Sequence, residues 1–324
     1  MTAIEVLRAR RRIEPYLRRT PLVESCWLSE LAGARVSLKL ESLQLSSSFK
    51  SRGAFNAVIA RLERGAPREQ QLVTASAGNH GRALAAAAEM FDVPLVVFTP
   101  ADAPQAKLAA IQRHGADLRA EGHDYDHAES LALRFSREHG AAFVSPYNDP
   151  DVIAGAGTIA LEIFEETPET DTFLVPIGGG GLISGLAAAA RAIAPAHRCI
   201  GVEAEASHAF LTSIRAGRLV PITPGPTLAD GLGGNPEAET ITFSLIQRYV
   251  DQIVTVSESD LTSAMIGLVE HEHVIAEGAG AAATAAIVGH RLALDGRRVA
   301  VIVSGSNIDR ARLMSVLAAG RGTA

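Results

Sequence analysis

Short runs rich in β-branched residues recur along this chain, each separated from the next by a longer stretch rich in alanine. The runs fall at residues 36–40, 71–74, 95–98, 143–145, 172–177, 199–203, 253–256 and 299–303. Strand-length runs alternating with helix-length stretches predict an α/β architecture with mostly parallel strands, because each parallel step needs a helix-sized crossover. Most runs are followed by glycine or serine and then a helical stretch. Such turns gather at the carboxyl edge of a sheet, where open α/β folds bind ligands.

No change of composition and no Pro- or Ser-rich linker marks a boundary. A helical stretch at 103–114 leads into G-A-D-L and reads as a βαβ unit. That unit places a smaller lobe at residues 52–147, leaving 1–51 and 148–324 to form a larger lobe from both chain ends. There is no internal repeat, and because little chain follows the last strand run no appended regulatory domain is expected.

Composition narrows the function classes. With 324 residues, 47% of them hydrophobic, the chain can bury a sizeable core. The net charge of -6 offers no footprint for nucleic acid and no polybasic patch for a membrane. Small molecules are the expected partners. The amino terminus lacks an apolar signal region and reads as a helix with Thr2 and Glu5 spaced as a capping box, so a cytoplasmic location is expected. Cys26 and Cys199 have no metal or redox spacing and read as buried small hydrophobes. The H-E-H at 271–273 lacks the i, i+4 histidine pair of a zinc helix and reads as a polar helix end.

Four segments carry chemistry. In S-S-S-F-K-S-R-G, Lys50 follows small hydroxyl residues and stands beside the apolar Phe49, an unusual setting for a solvated lysine. In P-I-G-G-G-G-L, Gly178, Gly179, Gly180 and Gly181 follow one strand run and open an alanine-rich helix. Consecutive backbone N–H groups at a helix N-terminus can cradle a phosphate. A dinucleotide fingerprint would need G-x-G-x-x-G, and Ile183 breaks that spacing; Glu203 at the end of the next run keeps a nicotinamide enzyme as an alternative. In T-A-S-A-G-N-H-G, small residues permit close approach of a ligand and Asn79 offers an amide to an aromatic oxygen, although Asn79 and His80 also read as a helix cap. In V-S-G-S-N, Ser304 ends a strand run and can present its hydroxyl to a ring nitrogen. A lysine for a Schiff base, glycines for a phosphate, an amide and a strand-end hydroxyl together make the complement that holds pyridoxal phosphate.

The ordered motifs R-T-P-L (19–22), S-F-K-S-R-G-A (48–54), S-A-G-N-H-G (76–81), A-P-Q-A-K (103–107), V-I-A-G-A-G-T-I-A-L-E (152–162), G-G-G-G-L (178–182), A-D-G-L (229–232), E-G-A-G-A (277–281) and S-G-S-N (304–307) run nearly end to end. The chain thereby resembles the fold-type II pyridoxal-phosphate enzymes, specifically the serine/threonine dehydratase group that also contains serine racemase. The resemblance implies a tryptophan synthase beta-like fold of two open α/β lobes, the smaller one mobile, and a homodimer or homotetramer. It implies that Lys50 binds the cofactor aldehyde, Phe49 packs beside the ring and Asn79 bonds the ring hydroxyl. Gly178 to Leu182 would hold the phosphate, Ser304 would face the ring nitrogen, Gly231 would line the ring and Glu277 would lie towards the substrate. Ser76, Ala77, Gly78, Asn79 and His80 would take the substrate carboxylate.

Departures limit the transfer. The family often has glycine where Ser47 and Ser306 stand. Its cation site can use a glutamate at Glu203, a carbonyl near Ser207 and an acidic residue near position 209, where this chain has Ala209. That set speaks against a divalent ion and leaves room for a monovalent one.

The choice of reaction rests on two positions. A neutral Ser304 does not keep a ring nitrogen protonated, which weakens the electron sink and favours elimination of a β-hydroxyl over transamination or racemisation. Racemases of this group carry serine where this chain has Ala77, and a methyl group moves no proton. The expected activity is therefore an ammonia-lyase converting threonine or serine to a 2-oxo acid and ammonia, with Lys50 as the base. A racemase, or a dehydratase of 3-hydroxyaspartate or phenylserine, is the alternative.

Overall fold

The computed structural model describes residues 1–319. Among them ten strands form: β1 (Leu22–Glu24), β2 (Arg35–Leu40), β3 (Leu72–Ala75), β4 (Leu95–Pro100), β5 (Asp117–Gly122), β6 (Ala142–Phe143), β7 (Thr172–Pro176), β8 (Arg198–Ala204), β9 (Gln252–Val256) and β10 (Arg298–Val303). They build a six-stranded sheet in the order β1-β2-β10-β7-β8-β9 and a four-stranded sheet in the order β5-β4-β3-β6. Of these strands only β1 runs antiparallel to its neighbour. All eight expected strands form, the one at 143–145 shortened to two residues, and the structure adds β1 and β5.

Thirteen α-helices accompany them among the described residues. Those of the first half are α1 (Ala3–Ile13), α2 (Cys26–Ala32), α3 (Lys50–Glu63), α4 (Asn79–Met90), α5 (Gln105–Gln112) and α6 (Tyr125–His139). The second half supplies α7 (Pro150–Glu166), α8 (Gly181–Ile193), α9 (Ala209–Ala216), α10 (Ile241–Tyr249), α11 (Glu258–Glu272), α12 (Gly278–Val288) and α13 (Arg310–Ala319). Helix α1 opens with the expected Thr2/Glu5 capping box, and α11 ends at His273 in the left-handed region, so H-E-H is a helix end. None of the described helices is long and apolar enough to cross a membrane.

The six-stranded sheet is sandwiched between two apolar clusters, one built on α11 and α12 and the other on α7 and α8. The inner strands β7 and β10 are continuous apolar runs, as strands covered on both faces must be. Alanine dominates α4, α8 and α12, and their buried faces let helices lie close to the sheets. Cysteine usage is half as expected: Cys199 is buried in β8, but Cys26 is exposed at the first position of α2. Its burial could not be inferred from residue type, because a helix's first turn can face solvent even when its body packs.

Candidate active site

Helix α3 begins at Lys50, preceded by a short 3-10 turn at Leu45–Ser47 that is kinked at Ser46, and by the extended Ser48. Ser46 and Ser47 both lie in the left-handed region, at φ 64° and 59°, a conformation that favours glycine. Ser47 is one of the two positions where the family often has glycine, and the backbone there keeps the glycine-like shape at a cost. The loop is held to the end of β10: Ser48 bridges Gly305, Phe49 N–H donates to the Ser304 carbonyl at 3.0 Å, and Ser306 N–H donates to the Ser47 carbonyl at 3.0 Å.

The Lys50 Nζ donates to the Pro146 carbonyl at 2.8 Å and lies 5.1 Å from the centre of the Phe49 ring. No carboxylate forms an ion pair with it among the described residues. Burial pulls its pKa down, against the pull of Glu277, to about 8. About a tenth of such an amine is unprotonated at pH 7, far more than for a lysine at its ordinary pKa, and that is the state in which a lysine is a nucleophile or a base.

Glycines shape the opposite wall. Gly180 caps α8 at φ 86° with no side chain bonded to the helix end, so the first-turn N–H groups of α8 have no side-chain acceptor. A Cβ on Gly179 would come within 2.2 Å of the Tyr147 ring, and one on Gly178 within 3.0 Å of the Gly231 carbonyl. The loop therefore has room for backbone only, and Gly231 lies against it. Leu182 is buried in the first turn of α8.

The loop after β3 forms a third side. Gly78, not Asn79 or His80, is the N-cap of α4, and no side chain caps that end. The cap reading of Asn79 fails because its side chain is used elsewhere: Nδ2 donates to Glu277 Oε1 at 2.6 Å, and Oδ1 accepts from Asn307 Nδ2 at 2.6 Å. Asn307 Oδ1 in turn accepts from Arg82 at 2.5 Å. Sequence reasoning missed this chain, because its members come from three segments up to 228 residues apart. Glu277 is buried beside it, and burial raises its pKa to about 7 despite the Asn79 bond.

His80 is buried with its Nε2 at 3.2 Å from the Val144 carbonyl, and burial together with Lys50 lowers its pKa to about 3. Its imidazole is thus neutral and turned to the strand end, leaving backbone and the small side chains of Ser76, Ala77 and Gly78 for a ligand. A cavity of about 140 Å³ opens beside them, lined by Ala77, Gly78, Asn79, Arg82, Lys107 and Asn307 among others. Ser304 is buried at the end of β10, its hydroxyl donating only a long 3.4 Å bond to the Ala279 carbonyl.

Glu203 and Ser207 lie away from these walls. Both Glu203 oxygens accept backbone N–H groups of α9, from Phe210 at 2.9 Å and Leu211 at 2.8 Å, while burial raises the carboxyl pKa to about 7. The Ser207 hydroxyl accepts from Gly234 N–H at 3.1 Å. Among the described residues no cluster of three His, Cys, Asp or Glu side chains could hold a metal.

The donor set fits pyridoxal phosphate. A side-chain-free loop of N–H groups suits a phosphate, a lysine without an ion-pair partner suits an aldehyde, and a weakly bonded strand-end hydroxyl suits a pyridine nitrogen. A family model described as pyridoxal-phosphate dependent enzyme matches residues 13–305, and the chain belongs to that family. Among its relatives, the L-threonine ammonia-lyase of Thermotoga maritima is 41% identical over 309 residues, covering 95% of this chain and 76% of that protein. The L-threo-3-hydroxyaspartate ammonia-lyase of Saccharomyces cerevisiae is 37% identical over 313 residues, covering 97% and 95%. Among solved structures, maize serine racemase superposes with a TM-score of 0.90 at 31% identity, over 99% of this chain and 98% of that one. The processed form of a threonine deaminase from Solanum lycopersicum superposes with a TM-score of 0.88 at 30% identity, over 97% and 90%.

Proposed function

We propose that this protein is a pyridoxal-phosphate-dependent ammonia-lyase that eliminates water from threonine or serine and yields a 2-oxo acid and ammonia. The observation that carries the reading is the pairing of Lys50, an amine pulled down to about 8, with Ser304, a hydroxyl rather than a carboxylate, at the end of the strand beside it. The relatives named as threonine ammonia-lyases support the same activity.

When bound, the cofactor supplies the electron sink that stabilises negative charge at the substrate Cα. The residues do the rest. Lys50 would hold the cofactor's aldehyde carbon, and its free Nζ would take the Cα proton. The N–H groups of Gly178 to Leu182 would hold the phosphate, and Asn79, tied to Glu277 and Asn307, would meet the ring hydroxyl. Phe49 and Gly231 flank the ring. Backbone N–H groups of residues 76–80 bind the substrate carboxylate, which orients the Cα–H bond towards Lys50. Loss of the Cα proton and departure of the β-hydroxyl as water leave an enamine that hydrolyses to the 2-oxo acid and ammonia.

The same reading takes residues 52–147 as a lobe that closes on residues 1–51 and 148–324, supported by their separate sheets and by an apolar cluster confined to residues 73–143. The cluster on α3 and α4 also takes in Ile13 and Val152, which makes the first turns of α3 the hinge side. A monovalent cation at Glu203 and the Ser207 carbonyl stays part of the proposal, since each Glu203 oxygen accepts one backbone N–H and keeps a lone pair.

The test is a keto-acid assay over L-threonine, L-serine, threo-3-hydroxyaspartate and 3-phenylserine, with chiral chromatography of the remaining amino acid. Threonine or serine should give the highest kcat/KM with little D-isomer. A preference for 3-hydroxyaspartate or phenylserine would replace the substrate, and D-serine as the main product would replace elimination by racemisation.

A further inference from the structure

Two residues after Lys50, on the same helix, stands a buried arginine that the reaction does not touch. Residues two apart on an α-helix point about 200° apart. Lys50 reaches into the cleft while Arg52 reaches the other way, into a closed layer between β2, α7 and the turn at Glu41–Leu43. There its Nε and Nη2 donate to the two oxygens of Glu41 at 2.7 and 2.8 Å. Its Nη1 and Nη2 donate to the two oxygens of Glu162 at 2.6 and 2.9 Å, and Thr158 and Thr20 hydroxyls lie at 3.2 and 3.4 Å. Lys39 closes the set with a 2.6 Å bond to Glu162. All four charged side chains are buried.

Two carboxylates and two cations balance, yet burying them is a poor way to gain stability, since an apolar replacement of equal shape often does as well or better. What a doubly forked guanidinium does confer is direction: two coplanar pairs of bonds fix its position and its rotation. Helix α3 needs such a fix. Its N-cap, Phe49, provides no side-chain cap, and the loop before it holds two residues in the left-handed region. On the same side Gly155 of α7 meets the Arg52 carbonyl so closely that a Cβ there would lie 2.3 Å from it. Backbone contact and fork together hold the first turn of α3 against α7, and through it the point from which Lys50 projects.

We infer that Arg52, clamped by Glu41 and Glu162, is a positioning residue that fixes the rotation of the first turn of α3 and so aims the Lys50 amine. The inference rests on Lys50 being the cofactor's anchor, the reading proposed above.

Arg52→Lys keeps the charge and removes the fork. In the full-length protein loaded with pyridoxal phosphate, it should lower kcat at least tenfold with KM within threefold. It should also lower the fraction of cofactor that borohydride fixes to Lys50, as read by peptide mass mapping, and alter the pH dependence of the cofactor's absorption. A variant with a lower Tm but unchanged kcat, trapping and spectrum would overturn the inference and leave the network as a structural staple. If Arg52→Lys does not fold, Thr158→Val, which keeps every charge, is read the same way: a severalfold fall in kcat and trapping supports the inference, and no change overturns it. Wild type tests the premise separately. Cofactor fixed to Lys39 or Lys107 in wild type would sink the proposed anchor together with this inference, whereas fixation to Lys50 with an unaltered Arg52→Lys would sink this inference alone.

Discussion

Phe49 donates its backbone N–H to the carbonyl of Ser304 at 3.0 Å, so the residue before the cleft lysine is bonded to the residue that ends β10. Strand β10 is covered on both faces and paired on both edges, by β2 and β7. The start of α3 is therefore moored to one of the most constrained segments of the large sheet. A site that needs an amine and a hydroxyl in fixed relation gains that relation from one backbone bond, reinforced by the Ser48–Gly305 bridge.

Replacing Lys50 by alanine should cost turnover roughly 10³-fold or more, since general-base catalysis alone contributes about 10²–10⁴. The fold should survive. Burial lowers the amine's pKa to about 8 from 10.5, so the native state carries a penalty for the charged form at pH 7 that alanine removes. With both proteins stripped of cofactor, thermal denaturation at pH 7 should show a Tm no lower than wild type; a clear drop would mean that the Pro146 bond matters more to the fold than the buried amine costs it.

Glu277 ties stability to pH. Burial lifts its pKa from 4.5 to about 7, the Asn79 bond opposing, with Asp230 adding to the rise and Lys107 and Lys50 reducing it. Between those values the native state binds more protons than the unfolded chain, so stability falls as pH climbs through that window and stays lower above it. Glu277→Gln can still accept the Asn79 bond and removes the ionisation. It should raise stability at pH 8, by at most roughly 3.5 kcal/mol at about 1.4 kcal/mol per pKa unit, and leave it little changed near pH 4.5. Urea denaturation at the two pH values checks this, and equal gains at both would rule out the ionisation as the cause.

Gly179→Ala should weaken cofactor binding about tenfold or more. The new methyl would lie 2.2 Å from the Tyr147 ring, and a ring in place cannot yield without moving loop or ring. Tyr147→Ala in the same chain removes the obstacle, so the double variant should bind the cofactor better than Gly179→Ala alone. Absorbance titration with pyridoxal phosphate decides it. A double variant no better than the single would mean that the methyl obstructs the phosphate itself.

Ala77 presents only a methyl group at the cavity beside Asn79. Ala77→Ser should raise D-serine formation from L-serine above the low wild-type level, by a modest factor, because an untuned serine hydroxyl is a weak acid. Chiral chromatography of both proteins gives the ratio. Abundant D-serine from wild type would show that another group protonates the second face of Cα.

How much of this was legible in the sequence depends on where the signal lay. Strands β7, β8 and β10 read as largely apolar runs because both faces are covered. Strand β5, D-L-R-A-E-G, escaped because it is an edge strand, paired only with β4 and mostly open to solvent, so it needs no apolar pattern. Strand β1 is three residues long and largely exposed. At the site, glycines and the lone lysine announced themselves by type. The Pro146 carbonyl that receives the Lys50 amine did not, since every residue carries a carbonyl.

The sequence by itself determined the α/β alternation, the glycine loop that only backbone could fill, and which side chains were available for chemistry, because those depend on local pattern and residue type. Tertiary structure alone decided that Asn79 would be held by Glu277 and Asn307, that His80 would turn to the Val144 carbonyl, that Glu203 would cap α9, and that Arg52 would lie between Glu41 and Glu162. A polar side chain's partner is settled by which groups of opposite polarity the packed chain leaves within reach, and for Arg52 and Glu162 those groups stand 110 residues apart. Burial then makes each pairing obligatory, since an unmatched charge in the core costs far more than the pair contributes.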